Sequence, residues 1–222
     1  MPSPPLASDL AHSVVEGARY ALLRRLAPSL RHDTVAPLQP LAMAASVLER
    51  RLRDPAPQLA QVQETAARLT GFSRAAVQSC LDLLDWLAPA QERTVSLQQA
   101  VRDTLALLRG SFLFRGFTLS DQLHNANDPV GVDRLRYVLP ACLLWLTDSA
   151  GAPAEVTLCT QDAGGQLRLV LDLQPTEGEP GVQEPPAYRP LRDEEVQALA
   201  YADGIALERH GDTLWLTLAR AR

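Results

Sequence analysis

Apolar side chains recur at spacings of three and four along the first part of the chain: Leu23, Leu26, Leu30, Thr34, Leu38, Leu41, Ala45, Leu48 and Leu52. Such a stripe is the buried seam of an amphipathic helix, and it predicts one long helix from Ala18 to Arg53. The turn Asp54, Pro55, Ala56, Pro57 ends it. Leu59, Val62, Ala66, Leu69, Ser73, Ala76, Cys80, Leu83 and Leu87 then repeat as a heptad seam, interrupted only by Ser73. Two long helices joined by a short loop predict an antiparallel hairpin. One hairpin buries only part of these stripes, so two copies are expected to pair as a homodimeric four-helix bundle.

The pattern changes after Ala88 to Arg93, where Pro89, Gln91 and Glu92 interrupt the repeat. This places a helical domain at residues 1–90 and a second domain at 91–222. In the second, Thr94 to Leu97 reads as a short strand, Leu97 to Arg109 as a helix, Phe117 to Leu123 as a strand and Val132 to Thr147 as a strongly apolar helix. Ala154 to Thr160 and Gln166 to Leu173 flank an Asp-Ala-Gly-Gly turn, a hairpin signal. A Pro- and Gly-rich loop from Gln174 to Pro190 leads to a helix at Asp193 to Ala202 and strands at Ile205 to Arg209 and Leu214 to Leu218. The fold class is α+β: a helical hairpin followed by an α/β sandwich with helices on one face of a largely antiparallel sheet.

Composition narrows the function classes. The net charge is −5 and all 21 basic residues are arginine, so no basic excess points to nucleic acid. No apolar run reaches the roughly eighteen residues of a membrane span, and residues 1–8 lack a signal-peptide profile. Cys80, Cys142 and Cys159 are scattered, without metal-ligand spacing, and read as reduced structural thiols of a cytoplasmic protein. Trp145, Trp215 and Phe117 read as core, and His12, His124 and His210 as ordinary surface residues. No paired carboxylates suggest a hydrolase.

One histidine stands apart. His32 is nine residues from both Leu23 and Leu41, which at about 100° per residue turns it roughly 180° from the seam and toward solvent. It is flanked by Arg31 and Asp33, and Pro37 removes a backbone donor one turn later at a cost of about 3 kcal/mol. Residues three, four and seven positions away share its face: Arg25, Pro28, Ser29, Val35, Ala36 and Gln39. Most are small or apolar and leave room for a partner to approach.

The order His32, Asp33, three residues, Pro37, Leu38 resembles the segment around the phosphoacceptor histidine of sensor histidine kinases. The family usually has Thr or Asn four residues after the histidine, where this chain has Ala36, which argues against phosphatase chemistry. The order of elements after residue 91 is similar to the family's ATP-binding domain, so the resemblance covers nearly the whole chain. Its nucleotide-binding residues are missing. The helix DRLRYVLPACLLWL carries Ala141 and Trp145 where the family has asparagines, and a hard cation needs oxygen ligands. LDLQPTEGEPG keeps Asp172 without the glycines of the adenine-reading turn. The loop carrying Pro180, Pro185, Pro186 and Pro190 replaces a glycine-rich lid.

An acceptor hairpin joined to a degenerate ATPase-like domain looks like the stand-alone histidine phosphotransferases. That resemblance implies a dimer relaying phosphoryl groups between receiver domains of two-component signalling. His32 would be the phosphoacceptor, Asp33 its orienting group or base and Arg31 a neutralising charge. The chain would need no cofactor of its own, and Mg²⁺ is expected only in the receiver. The competing expectation is an inactive kinase-like scaffold that binds a response regulator or a kinase. A pure scaffold has no chemical need of the His32 and Asp33 pair.

Overall fold

A computed structural model describes residues 5–87, 94–123, 126–182 and 185–219. The expected linker at 88–93 and His124 lie outside them. By the packing of Cα atoms the chain divides into Met1–Ala27 with Ala90–Arg222, and Pro28–Pro89. The first 27 residues therefore group with the α/β unit and not, as residues 1–90 were expected to, with the hairpin.

The α/β unit begins with the upstream part of α1 (Pro5–Val35). Ala18, Ala21, Leu22 and Leu26 are buried there. β1 (Thr94–Ser96) pairs with β3 (Pro129–Gly131), a strand of three residues too short to show as alternation. Between them run α4 (Leu97–Phe114) and β2 (Phe117–Asp121), and after them α5 (Val132–Asp148), β4 (Ala154–Ala163), β5 (Gln166–Pro175), α6 (Asp193–Ala202), β6 (Ala206–His210) and β7 (Thr213–Leu218). The five-stranded sheet has the order β2-β4-β5-β7-β6. Only β2 and β4 are parallel, because α5 provides the crossover that parallel neighbours require. Leu119, Val156, Leu158, Leu169, Leu171, Leu214 and Leu216 are buried from one face of this sheet, while Thr157, Arg168 and Asp172 alternate with them and are partly exposed. Trp215 belongs to that second set. It lies beneath Arg168 (4.4 Å to the ring centre) and beside His210 (4.2 Å between ring centres), so it is not the core residue expected.

Local chemistry explains the sharpest boundaries. The β4–β5 hairpin turns at Gly164 and Gly165, whose φ values of 63° and 89° suit glycine in the right-twisted two-residue turn. α6 starts where sequence places it because Glu195 accepts a hydrogen bond from the Arg192 backbone N–H at 2.9 Å, and three acidic residues occupy its first turn. Glu195 is buried and also receives both guanidinium arms of Arg189 at 2.7 and 2.5 Å. These bonds hold its carboxyl down at about 2.

The helical unit, Pro28–Pro89, holds the end of α1, then α2 (Leu38–Leu52) and α3 (Leu59–Leu87). The single helix expected from Ala18 to Arg53 is in fact two, broken at Ala36 and Pro37. The seam spacing continues through the break, so periodicity alone could not reveal it, whereas the proline lacks the N–H that the Asp33 carbonyl would need. α2 and α3 pack together, and Arg51 ties them by hydrogen bonds to the Gln61 carbonyl and the Thr65 hydroxyl. The Asp54 side chain caps the connecting turn through the Ala56 N–H. No residue of α2 is buried within this chain.

A depressed carboxyl pKa contributes stability above its unfolded value, near 4.3, that disappears as pH falls toward the folded value. Glu195→Gln is expected to cost about 2 kcal/mol at neutral pH. The gap between its melting temperature and that of wild type should close between about pH 4.3 and pH 2, as followed by circular dichroism.

Candidate functional site

His32 sits in the last turn of α1, with its side chain 80% exposed, as the spacing predicts. Pro28 lies inside the same helix, so one proline precedes the histidine and another follows it. Between them ordinary helical bonding persists, including Ala36 N–H to the His32 carbonyl at 2.8 Å. Thr34 turns its hydroxyl back to the Leu30 carbonyl at 2.7 Å.

Nδ1 of His32 lies 3.1 Å from Oδ1 of Asp33. Neighbouring helical positions do not share a face, so spacing by itself gave no sign of this contact, which the resemblance implied. Both side chains are long enough to lean together at the surface. A carboxylate can only accept, so in the neutral ring this contact favours the tautomer with its proton on Nδ1. Nε2 is then left with an unprotonated lone pair on the far edge of the ring, the state of a nitrogen nucleophile. Arg31 is exposed beside it and, among the described residues, joins no ion pair.

The face expected around His32 is only partly assembled. Pro28, Val35, Ala36 and Gln39 are exposed and Ser29 is half-buried. Arg25 does not belong to it. Its side chain is 4% exposed and donates to Oδ1 of Asp148 at 2.8 Å within the α/β unit. Helical spacing could not see a carboxylate 123 residues away.

Further along, Ala36 and Gln39 open a groove of about 410 Å³ that continues over Met43 and Val47 to Arg68 and Phe72 of α3. Counting along one helix could not find the α3 residues, because they belong to the facing strand of the hairpin. A second groove of about 450 Å³ is lined by Leu38, Leu41, Ala45, Leu69 and Ser73, the seam residues themselves. At about 100° per residue the two grooves fall on opposite sides of α2.

The α/β unit is filled at the positions where the resemblance expects nucleotide ligands. Ala141 is fully buried and Trp145 nearly so. The Trp145 indole donates to Oδ1 of Asp193 at 2.7 Å, and Arg209 stacks over its ring. Asp172 is engaged on the sheet, accepting from the Thr213 hydroxyl at 2.6 Å and the Gln174 amide at 2.8 Å. The loop after β5 is pinned down, with Val182 N–H bonded to the Phe114 carbonyl at 2.9 Å. Gly181 there lies so close to the Arg115–Gly116 backbone that a Cβ would overlap it.

Among the described residues no group of three His, Cys, Asp or Glu could hold a metal, and no helix is long and apolar enough to cross a membrane. The cysteines are free thiols. Cys142 is buried, which pushes its thiol up, while Cys80 is exposed.

No family model and no curated protein matches this sequence. Solved structures are similar at a distance. A histidine kinase from Burkholderia phymatum STM815 is 17% identical over 89% of this chain and 99% of its own, with a TM-score of 0.46. The catalytic domain of the histidine kinase ThkA is 11% identical over 59% of this chain and 96% of its own, also at 0.46. A bacterial phosphotransferase is 13% identical over 88% of this chain and 94% of its own, at 0.36. Likenesses this remote leave the chemistry to be argued from the residues.

The hydrogen bond to Asp33 makes a spectroscopic prediction. In long-range ¹H–¹⁵N spectra at mildly alkaline pH, the His32 ring should show a protonated Nδ1 and a bare Nε2, and Asp33→Ala should shift the population toward the opposite tautomer.

Proposed function

We propose that this chain relays phosphoryl groups between receiver domains of two-component signalling through His32, and draws none from ATP. The observation that carries the reading is the exposed imidazole with its Nδ1 3.1 Å from Oδ1 of Asp33, which in the neutral ring leaves Nε2 free to attack. The Nε2 lone pair attacks the phosphorus of a receiver's aspartyl phosphate. A P–N bond forms as the P–O bond to the aspartyl carboxylate breaks, and that carboxylate leaves. Asp33 balances the positive charge that develops on the ring. The same steps in reverse pass the group to the aspartate of a second receiver. Such transfers depend on in-line placement and charge neutralisation. Arg31 supplies part of the second, and the receiver's own Mg²⁺ supplies the rest.

Independence from ATP is supported by the side chains that occupy the α/β unit: apolar Ala141, Trp145 bonded to Asp193, and Asp172 committed to Thr213 and Gln174. The receiver docks along the groove that starts at Ala36 and Gln39, one and two turns after His32. Its apolar floor of Met43, Val47 and Phe72 suits a partner helix, with Arg68 at its edge.

Pairing of two copies is supported by what the hairpin leaves uncovered. Leu38, Leu52, Leu59, Val77, Leu81 and Leu84 are all exposed. That is more apolar surface than a monomer ordinarily presents to water. A second hairpin laid on the Leu38–Leu69 groove would cover the seam and complete a four-helix bundle.

When a ³²P-labelled receiver domain from the same organism is mixed with this protein, label is expected on wild type and absent from His32→Ala. Asp33→Ala is expected to slow transfer roughly tenfold or more. Binding without label would favour the scaffold reading, and labelling from ATP alone would overturn the ATP-independent one. Light scattering should give twice the chain mass, falling to a single chain for the Leu41→Glu, Leu69→Glu double variant.

A further inference from the structure

The groove that opens at Ala36 and Gln39 carries a charge that its apolar floor does not explain. Its walls come from both helices of the hairpin, Met43 and Val47 from α2 and Thr65, Arg68 and Phe72 from α3, all within the Pro28–Pro89 unit. Arg51 fixes how the two walls face each other, because its guanidinium donates to the Gln61 carbonyl and the Thr65 hydroxyl. The helices run in opposite directions, so with Arg51 beside Thr65 each step back along α2 matches a step forward along α3. Arg68 therefore stands at the level of Val47 and Leu48, and Phe72 lies one turn nearer the Ala36 end, level with Ala44.

Two arginines line this groove, and they differ. Arg51 is half-buried and its guanidinium is engaged inside the hairpin. Arg68 is exposed and, among the described residues, joins no ion pair. Glu64 stands one turn before it on α3, in the order and spacing at which a carboxylate and an arginine pair along a helix. Arg53 takes Glu49 at the same separation on α2, but Arg68 leaves Glu64 alone. Its guanidinium is planar, offers paired donors to a carboxylate, and stands on a stem that lies well against apolar surface. When a partner helix covers the floor of Met43, Val47 and Phe72, water leaves the groove, and a charge pair formed at its edge is screened less than one on open surface.

We propose that Arg68 reads a carboxylate on the helix that docks in this groove, and so selects among receiver domains. This role rests on the proposed relay and names the chemistry of its partner. The docked helix presents apolar side chains to Met43 and Phe72, and an Asp or Glu three or four residues along the same face meets Arg68. Since Arg68 stands on the side of Phe72 away from Ala36, the carboxylate belongs toward the corresponding end of the docked helix. A receiver with Lys or Arg at that position sets like charges together and is turned away.

The test uses the full chain with the receiver domain of the same organism that wild type binds most tightly, and follows binding by calorimetry as well as transfer of label. Arg68→Glu is expected to raise the receiver concentration at half-saturation about tenfold or more in low salt, while the rate at saturating receiver and the melting temperature stay at their wild-type values. Arg68→Lys should recover part of the affinity, and the gap between wild type and Arg68→Glu should narrow as salt is added. The control is Arg50→Glu, the same change of charge at an exposed α2 position that lines neither groove. It should bind the receiver as wild type does. In the receiver, each Asp or Glu on the helices beside its phosphorylated aspartate is then changed singly to Arg, and one such change should bind Arg68→Glu more tightly than it binds wild type. Equal affinity of wild type and Arg68→Glu overturns the proposal. So do equal losses in Arg68→Glu and Arg50→Glu, which make the effect one of net charge, and the failure of every exchange in the receiver to restore Arg68→Glu. A receiver that binds wild type without labelling it sinks the relay through His32, while the binding titrations still decide the role of Arg68. A wild type that neither binds nor labels any receiver sinks both.

Discussion

Two prolines bound the stretch of chain on which His32 stands. Neither Pro28 nor Pro37 has an N–H to donate, so the carbonyls of Arg24 and Asp33 lose their helical partners. Pro28 lies in a helix interior, at a cost of about 3 kcal/mol, while Pro37 stands at the break before α2. The residues between them form the end of α1 and keep internal bonds such as Ala36 N–H to the His32 carbonyl. An imidazole there is not drawn into the seam that governs its neighbours. It can stand 80% exposed with Nδ1 3.1 Å from an adjacent carboxylate.

How far this was legible in the sequence depended on how local each signal was. The β4–β5 turn and the limits of α6 are set by residues within a few positions of each other, Gly164 with Gly165 and Arg192 with Glu195, and both were readable. The break at Pro37 was half legible: the proline was visible, but the seam passes Thr34, Leu38 and Leu41 without a change of phase. Periodicity describes side-chain direction and is blind to a missing N–H. Arg25 and Trp215 failed for a different reason. Spacing assigns a face, and only the fold decides whether that face meets water, a carboxylate or another ring. The upstream part of α1 was likewise invisible as part of the α/β unit, because its anchor, Asp148, lies 123 residues on. The His32 and Asp33 contact was underestimated because the rule for adjacent residues concerns Cβ directions, and two flexible surface side chains reach past it.

The α/β unit fills its interior with its own side chains. Trp145 fills space with a large ring and satisfies its N–H on Asp193, so the apolar and polar needs of that position are met within the chain. Asp172 is occupied by Thr213 and Gln174, and the loop after β5 lies against the Arg115–Gly116 backbone through Gly181. Each of these groups would have to give up an existing partner before it could serve a ligand. The unit also holds the upstream part of α1 through the buried Ala18, Ala21, Leu22 and Leu26 and the Arg25–Asp148 bond.

The proposed relay would require that the surface joining two copies not be the one a receiver uses. The seam residues Leu38, Leu41 and Ala45 and the groove residues Gln39, Met43 and Val47 alternate along α2, so they project to opposite sides of one helix. Pairing through the first set covers the leucines and leaves the second set open to solvent. The open groove also begins at Ala36, a single turn from His32. In the proposed relay a partner helix seated there would meet the imidazole through the same residues that bind it. A helix with one apolar stripe could not serve both contacts, which accounts for the apolar character of α2 on both sides and for the absence of any residue buried within the single chain.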